Sequence, residues 1–432
     1  MSGTALPTAS LPQADIGAFE RLLRLAGRYG LTAIGPIAVS GAHFVASLIF
    51  LHRLSPADFG LFSFLLVVVP FCLSMSSGLL GAPLVKAIGK SKTVEEDQLA
   101  AFRKVNQVFC LGAGLVTATL MWRSHAGAVA ALALGGYGAV MSLRWFSRFN
   151  AYIYNSPTRA AASDLVYSFA LLIGLFVLIA TNDLSLVSAS IVLFGCSVLS
   201  VPVFGWTFLR KQFLPGGQGS LAVYMPIWRD VTRWSLLGVV LSEVTANAHA
   251  YFVTFISGPK AFALLAIGSL LMRPVFLVLQ ALPDRERPTI ARYLAAGDFK
   301  SAYRTRMEFR LAAVAVWLGT VALAAGILRW YPQLFVRKGF ESTEVWVVVA
   351  IWTLIVAVRA IRAPEAVFLQ AAGEFNALAR TGFAASIVSV VVTFVLLVLF
   401  GPIASLGGIL GGELVNTVQI MTLMRTWRAA HA

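Results

Sequence analysis

The sequence predicts an all-α integral membrane protein with about twelve transmembrane helices. Two observations lead to this fold class. Of the 432 residues, 58% are hydrophobic and only 12% are charged, whereas a soluble domain is about 25% charged because its surface faces water. The apolar residues also form long runs bounded by charges. A helix needs about 20 apolar residues to cross the hydrocarbon core, where only helices and closed barrels satisfy the backbone.

Twelve apolar runs have the length expected of a membrane span. We expect the spans at residues 31–52, 59–85, 105–122, 126–147, 162–181, 184–209, 234–256, 260–282, 311–328, 345–368, 381–400 and 403–424. The loops on the side opposite the amino terminus are short, and only the loop at 329–344 is of moderate size. The sequence therefore predicts no exterior domain.

The placement of the basic residues predicts the orientation of the chain. With the amino terminus inside, cytoplasmic segments hold 25 of the 34 Lys and Arg residues and the opposite side holds six. This bias satisfies the positive-inside rule, so both termini are expected in the cytoplasm. It also accounts for the net charge of +15 without a nucleic-acid partner.

The spans divide into two equal halves. Residues 1–30 are expected to form a cytoplasmic tail and an amphipathic helix on the anionic leaflet, since Arg21, Arg24 and Arg28 alternate with leucines. The remaining divisions are an N-lobe at 31–209 (spans one to six), a cytoplasmic linker at 210–233, a C-lobe at 234–424 (spans seven to twelve) and a tail at 425–432. Residues 52–71 resemble residues 254–276 at an offset of about 203, which indicates two pseudo-symmetric six-helix lobes, as an alternating-access transporter requires.

The residues of this repeat also carry a resemblance to a known family. LSPADFGLFSF and GPKAFALLAIGSLLMRP look like the family's turns into spans two and eight, and ARYLAAGDFKSAYR looks like its connector after span eight. On these motifs the chain, over essentially residues 31–428, resembles the polysaccharide-transport, or O-antigen flippase, branch of the multidrug/oligosaccharidyl-lipid/polysaccharide exporter superfamily. The resemblance implies two lobes around a central cavity.

The resemblance also implies a function and a location. It implies a flippase in the bacterial cytoplasmic (inner) membrane that moves an undecaprenyl-pyrophosphate-type lipid-linked oligosaccharide for O-antigen, capsule or exopolysaccharide biosynthesis. The expected partners are this substrate and membrane lipids, and a polysaccharide polymerase and other envelope-assembly proteins are further candidates. Two alternatives stay open: a cation-coupled multidrug exporter of the same superfamily, and a membrane-embedded polysaccharide polymerase or transferase. Arginines at mid-span disfavour the first, and the short outer loops disfavour the second.

Arginines within the spans are the first candidates for substrate binding, because a charge in the membrane must face a cavity or a partner. Arg273 lies about midway along span eight and is expected to bind the pyrophosphate; the alternative is an ion pair with Glu243. Arg359 and Arg362 are three residues apart and share a face of span ten, which predicts a second anion contact. The alternative here is that Arg362 pairs with Glu365 and Arg359 with a carboxylate on a neighbouring helix.

Carboxylates and amides within the spans are candidates for coupling or gating. Glu243, Asn247 and His249 on span seven and Glu413 on span twelve are candidate proton or cation sites. Their alternative role is interhelical hydrogen bonding that fixes the packing.

Four more polar residues occupy the predicted N-lobe. His43, within span one, is a candidate substrate contact or a packing histidine. Arg144, Arg148 and Asp164 lie near the cytoplasmic ends of their helices, and they are either flanking charges or residues of the cavity mouth, with Asp164 a candidate for gating.

Catalytic motifs do not occur in the sequence. It contains no Walker motif, HExxH or GxSxG, and Cys72, Cys110 and Cys196 have no metal-ligand spacing. We therefore expect a transporter without an enzymatic activity, a cofactor or a metal.

Overall fold

The computed structural model describes residues 18–81, 83–84, 96–153, 156–213, 221–336 and 339–431. Within these ranges the chain forms fifteen α-helices and no strand. The helices are α1 Ala18–Arg53, α2 Pro56–Ser76, α3 Glu96–Arg123, α4 Ala128–Ile153, α5 Pro157–Ala180, α6 Leu186–Leu199, α7 Trp206–Phe213, α8 Leu221–Ile227, α9 Arg233–Ile256, α10 Pro259–Leu271, α11 Arg273–Ala295, α12 Phe299–Trp330, α13 Ser342–Ala371, α14 Phe375–Phe400 and α15 Leu406–Ala430. The all-helical membrane fold predicted from the composition is confirmed.

The number of spans is slightly lower than twelve. Ten described helical segments are long and apolar enough to cross a membrane, and the bent pair α10 and α11 makes eleven. The remaining long helix, α15, has 25 residues and is about 38 Å long, which exceeds the core of the bilayer. Its Glu413, Asn416 and Gln419 lower its hydropathy, so length and composition alone do not identify it as a span.

Local signals in the sequence explain where several helices begin. The hydroxyl of Ser55 accepts a hydrogen bond from the backbone N–H of Asp58, and Pro56 occupies the first turn of α2, which is a favourable start for a helix. The carboxylate of Asp298 accepts from Ser301 at the start of α12. The hydrogen bonds from Ser301 hold the pKa of Asp298 below its usual value, so this cap stays ionised at neutral pH.

The helices form two lobes that meet along α2. In the N-lobe, α4 packs against α3 and α6, and α1 packs against α5; in the C-lobe, α14 packs against α9 and α15, and α13 packs against α11, α12 and α15. Helix α2 contacts α4 of its own lobe and both α9 and α10 of the other lobe. The second spans of the two halves, α2 and the helix α10 that begins span eight, are therefore the principal contact between the lobes.

The crossing of α2 and α10 depends on close backbone approach. A Cβ atom at Gly60 would overlap the carbonyl oxygen of Pro259, the first residue of α10. At the other end of the same interface, a Cβ atom at Gly78 would lie 3.3 Å from the side chains of Leu236 and Val239 on α9. The approach at Gly60 requires glycine, because the backbone of Pro259 cannot move aside; at Gly78 the contact is tight, and the neighbouring side chains would have to shift slightly to admit a Cβ atom.

Span eight is broken rather than continuous. Helices α10 and α11 meet at Met272 with a bend of 60°. Pro274 lies directly after the break and cannot donate a backbone hydrogen bond, which accounts for an interruption at this point. The span expected at 260–282 is therefore formed by two helices that are bent at Met272. Helix α12 also begins at Phe299, twelve residues before the expected start of span nine.

Candidate anion and coupling sites at the lobe interface

Arg273 lies at the break in span eight, between the lobes. It is the first residue of α11, about 20 Å along the helix from the start of α10, which places it near mid-membrane. Its Nε donates to the hydroxyl of Ser40 on α1, 3.3 Å away. The side chain is half-buried, and none of the described carboxylates forms an ion pair with it. The alternative pairing with Glu243 is therefore absent.

The break adds a second positive feature to this position. The amino-terminal end of a helix carries a partial positive charge from unpaired N–H groups, and broken helices in transporters direct such ends at anionic groups. The charge of Arg273 also acts electrostatically on His43 and Tyr137 of the N-lobe. Ser40, the hydrogen-bond partner of Arg273, lies three residues before His43 on α1, so Arg273 and His43, two of the predicted substrate contacts, belong to the same region of the structure.

Other arginines of the bundle occur in pairs that share one carboxylate. Arg144 and Arg148 on α4 bind Asp164 on α5, with 3.1 Å from Arg144 Nη2 to Oδ1. Two arginines of α12, Arg306 and Arg310, bind Glu365 on α13, with 3.0 Å from Arg306 Nη1 to Oε2.

Arg359 and Arg362 on α13 both bind Glu413 on α15. The distances are 2.6 Å from Arg359 Nε to Oε1 and 2.9 Å from Arg362 Nη2 to Oε2. The expectation that Arg359 meets a carboxylate on a neighbouring helix matches this geometry. The expected pairing of Arg362 with Glu365 does not occur, because Glu365 is turned toward α12.

Each of these three clusters hides its negative charge and leaves part of its positive charge accessible. The side chains of Asp164, Glu365 and Glu413 are 4%, 2% and 3% exposed. One or both arginines of each cluster are more exposed, with 14% for Arg148, 28% for Arg310 and 21% for Arg362. Each cluster carries a net charge of +1, so the accessible electrostatic character of these groups is cationic.

Glu243 is a carboxylate of a different kind. It lies half-buried on α9, where its Oε1 accepts from the hydroxyl of Ser74 on α2 at 3.2 Å and its Oε2 accepts from Asn247 at 2.7 Å. No Lys, Arg or His among the described residues pairs with it. The bond to Ser74 crosses between the lobes, so Glu243 and Asn247 form a polar contact at the interface.

His249 does not join Glu243 and Asn247. It is 3% exposed and packs between the rings of Phe262 and Trp352, at centroid distances of 6.0 and 5.7 Å. Its Nδ1 is buried and has no hydrogen-bond partner among the described residues.

His43 belongs to a buried network in the N-lobe. Its Nε2 lies 2.8 Å from the hydroxyl of Tyr167 and 3.3 Å from that of Tyr137, and the two hydroxyls are 3.1 Å apart. The guanidinium of Arg144 lies over the ring of Tyr167 at 4.6 Å. His43 therefore links the interface near Arg273 to the cluster at Asp164.

Sequence reasoning missed the cluster at Glu365. The predicted span nine begins at residue 311, which leaves Arg306 and Arg310 in the cytoplasmic segment before it. Their spacing of four residues, which places them on one helix face, was the available signal. No group of three or more His, Cys, Asp or Glu residues that could hold a metal occurs within the described ranges.

The comparisons with known proteins concern the fold. No family model and no curated protein sequence matches the chain. Among solved structures, the chain is similar to the lipid II flippase MurJ in an inward closed conformation, with a TM-score of 0.70, 11% identity and coverage of 91% of this chain and 87% of that chain. It is also similar to a multidrug resistance MATE family transporter of the MOP superfamily in an inward-facing conformation, with a TM-score of 0.67, 12% identity and coverage of 93% and 95%.

The outward-facing conformation of a MATE family transporter also matches, with a TM-score of 0.60, 16% identity and coverage of 95% of this chain and 96% of that chain. These identities establish the fold alone. The protein is a multi-pass membrane protein with the two-lobed fold that MurJ and the MATE transporters share. The MATE family transporter belongs to the MOP superfamily, which is the superfamily that the sequence motifs resemble.

Proposed function

We propose that the protein is a flippase that moves an undecaprenyl-pyrophosphate-type lipid-linked oligosaccharide across the bacterial cytoplasmic membrane for surface polysaccharide biosynthesis. The observation that carries this proposal is Arg273, a half-buried cation at the lobe interface without a described carboxylate partner. A charge at this depth is costly unless a counter-ion joins it. A substrate with a pyrophosphate supplies that counter-ion during each transport cycle.

The chemistry of the guanidinium suits a pyrophosphate head group. Arginine stays charged in any protein environment and presents a planar set of donors that binds phosphate oxygens bidentately. Ser40 lies on the N-lobe and Arg273 on the C-lobe, so a head group that binds Arg273 competes with a bond between the lobes. Substrate binding is in this way linked to separation of the lobes, as alternating access requires.

The three arginine clusters support the same substrate class. In each cluster the buried carboxylate fixes the orientation of two guanidinium groups and neutralises one of them. The remaining charge attracts anions and repels organic cations. We propose that Arg359 and Arg362 contact the head group beside Arg273, and that Arg144, Arg148 and Asp164 lie at the mouth through which the head group enters.

The membrane potential can supply part of the driving force. A pyrophosphate with about two negative charges that leaves a cell with an interior potential of about −100 mV gains roughly 4 to 5 kcal/mol. The positive-inside bias predicts both termini in the cytoplasm, and in this orientation the substrate moves from the cytoplasmic to the outer leaflet.

Deletion of the gene tests the proposal in cells. We expect the lipid-linked oligosaccharide to accumulate on the cytoplasmic leaflet, the wild-type gene to restore surface polysaccharide, and the gene with Arg273→Gln to fail at equal protein level. Arg329→Gln is the matched control, since Arg329 is an exposed residue near the end of α12. Normal surface polysaccharide in the deletion strain would contradict the proposal.

Glu243 favours a second candidate, cation-coupled export of small molecules. A half-buried carboxylate that no described cation pairs with is suited to bind a proton or a metal cation within the membrane. The two candidates differ in their response to Glu243→Gln, which should abolish cation-coupled export and leave the transport of a pyrophosphate-linked lipid driven by the membrane potential intact.

A further inference from the structure

A basic cavity lies within the N-lobe, away from the lobe interface. It has a volume of about 260 Å³ and is lined by Arg103 of α3, Arg159 of α5 and Lys211 of α7. All ten residues that line it come from the N-lobe or the following helix α7, and none of them is an aspartate or a glutamate. It is therefore distinct from the site around Arg273.

The lining of this cavity combines cationic, polar and apolar groups. Ser147, Ala151 and Phe204 are 1%, 7% and 3% exposed and form its floor. Asn150 also lines it, and the Oδ1 atom of that side chain is buried and has no hydrogen-bond partner among the described residues. The three cations favour a ligand with an anionic group, and the amide oxygen favours a ligand with a hydroxyl donor.

The position of α7 indicates that this ligand is a lipid. This eight-residue helix carries Arg210 and Lys211 on its polar side, and its Trp206 and Phe213 are 76% and 58% exposed. Exposed aromatic residues beside basic residues are typical of helices that lie at the level of the lipid head groups. The cavity beside α7 therefore opens at the head-group level, on the side of the membrane that the charge bias assigns to the cytoplasm.

We infer that this cavity binds the head group of an anionic glycerophospholipid of the cytoplasmic leaflet. The phosphate lies among Arg103, Arg159 and Lys211, and a glycerol hydroxyl donates to Asn150. Basic pockets between helices at this face of a membrane protein are suited to anionic head groups. Since its ligands come from α3, α5 and α7, the bound lipid holds these three helices together and stabilises the N-lobe.

Thermal unfolding of the full-length protein in detergent micelles tests this site. Three additives are compared at equal concentration: phosphatidylglycerol, phosphatidylcholine and inorganic phosphate. We expect phosphatidylglycerol to raise the unfolding temperature by several degrees and the other two to raise it by less than half as much. The chain offers a matched control for the variant, since Lys104 and Arg210 are exposed neighbours of Arg103 and Lys211 and do not line the cavity.

The double variant Arg103→Gln/Lys211→Gln should lose at least half of the phosphatidylglycerol-dependent shift, and Lys104→Gln/Arg210→Gln should keep it. The single variants Lys211→Gln and Arg210→Gln serve the same comparison if a double variant does not fold. If the double variant and its control lose the phosphatidylglycerol-dependent shift equally, the site is overturned. The lipid is then attracted to the basic surface as a whole and not to this cavity. An equal shift with phosphatidylcholine, or with inorganic phosphate, would overturn the assignment to an anionic lipid.

Discussion

Within the part of the chain that the structure describes, three buried carboxylates each bind two arginines. A lone carboxylate in a low-dielectric interior is strongly unfavourable, and one arginine is enough to neutralise it. The second arginine in each cluster therefore has another role. For the cluster of Arg359, Arg362 and Glu413, we propose that this role is to carry an accessible positive charge whose position the buried carboxylate fixes.

Substitution of Glu413 tests this view of the clusters. Glu413→Gln removes the only described counter-charge of Arg359 and Arg362 and should destabilise the protein by about 3 to 5 kcal/mol, the usual cost of breaking a buried ion pair. Arg362→Gln leaves a neutral pair and should cost clearly less. Thermal unfolding in one detergent compares the two variants, and an equal or larger loss in Arg362→Gln would contradict the proposed charge balance.

Arg273 is predicted to bind substrate rather than to hold the fold. Arg273→Gln should weaken the binding of farnesyl pyrophosphate, a short probe with the same head group, by about 10- to 100-fold, which corresponds to the 1.5 to 3 kcal/mol of a charged hydrogen bond. The affinity of Arg273→Lys should lie between those of the wild type and Arg273→Gln, because lysine keeps the charge and loses the bidentate geometry. A fluorescence binding assay measures the affinities, with Arg329→Gln as the control. Unchanged affinity in Arg273→Gln would exclude Arg273 from the site.

At the scale of the helices, the contact between the lobes depends on the crossing of α2 and α10. Both helices begin with a proline, Pro56 and Pro259, at the offset of 203 residues that the repeat predicts. The two helices then differ, since α2 continues through Pro70 and α10 breaks before Pro274. The break therefore places a helix end and Arg273 together near mid-membrane in the C-lobe, and α2 has no such break at Pro70.

Gly60→Ala tests the role of this crossing. The new Cβ atom would overlap the backbone of Pro259, which cannot move aside as a side chain can, so the ends of α2 and α10 must separate. Spin labels are attached at Asp58→Cys and Lys260→Cys, with Cys110 replaced by serine. Electron paramagnetic resonance should then report a longer distance between the two labels in Gly60→Ala than in the protein that keeps Gly60. Gly112→Ala is the control, because a Cβ atom there has no neighbour within 4 Å. An unchanged distance in Gly60→Ala would show that the crossing is not rigid.

The sequence predicts the helices better than their contacts. Apolar runs located the spans, and the repeat identified α2 and α10 before their packing was known. The partners of charged residues depend on which face each helix turns to its neighbours, and this is decided by the whole bundle. Glu365 could pair one turn back with Arg362 or across to α12, and Arg273 could reach Glu243 or Ser40; only the packed structure distinguishes these pairings. The first turns of α12 are not predicted from the apolar pattern, because Arg306 and Arg310 precede its apolar run.

At the scale of the whole molecule, few polar bonds between described residues join the lobes near mid-membrane. The two principal ones are Arg273 with Ser40 and Glu243 with Ser74, and a hydrogen bond to a charged group contributes about 1.5 to 3 kcal/mol. Such contacts can be exchanged for contacts with a substrate without loss of the fold. The buried clusters within each lobe are stronger, so the lobes are expected to move as rigid bodies.

Glu243→Gln distinguishes two sources of energy for that motion. If the membrane potential drives transport, the variant should flip a pyrophosphate-linked lipid in liposomes at a rate within about twofold of the wild-type rate without any ion gradient. A rate that depends on a proton or sodium gradient in the wild type and loses this dependence in Glu243→Gln would instead identify Glu243 as the coupling site.

We propose that the interface between the lobes binds an anionic lipid-linked head group through Arg273. The most direct measurement is the flipping rate of a polyprenyl-pyrophosphate-linked oligosaccharide in liposomes that contain the purified protein, with and without an imposed membrane potential. We expect the flipping rate to increase when the potential favours outward movement of the anion, and to fall at least tenfold in Arg273→Gln. Flipping that ignores the potential and proceeds at the wild-type rate in Arg273→Gln would contradict it.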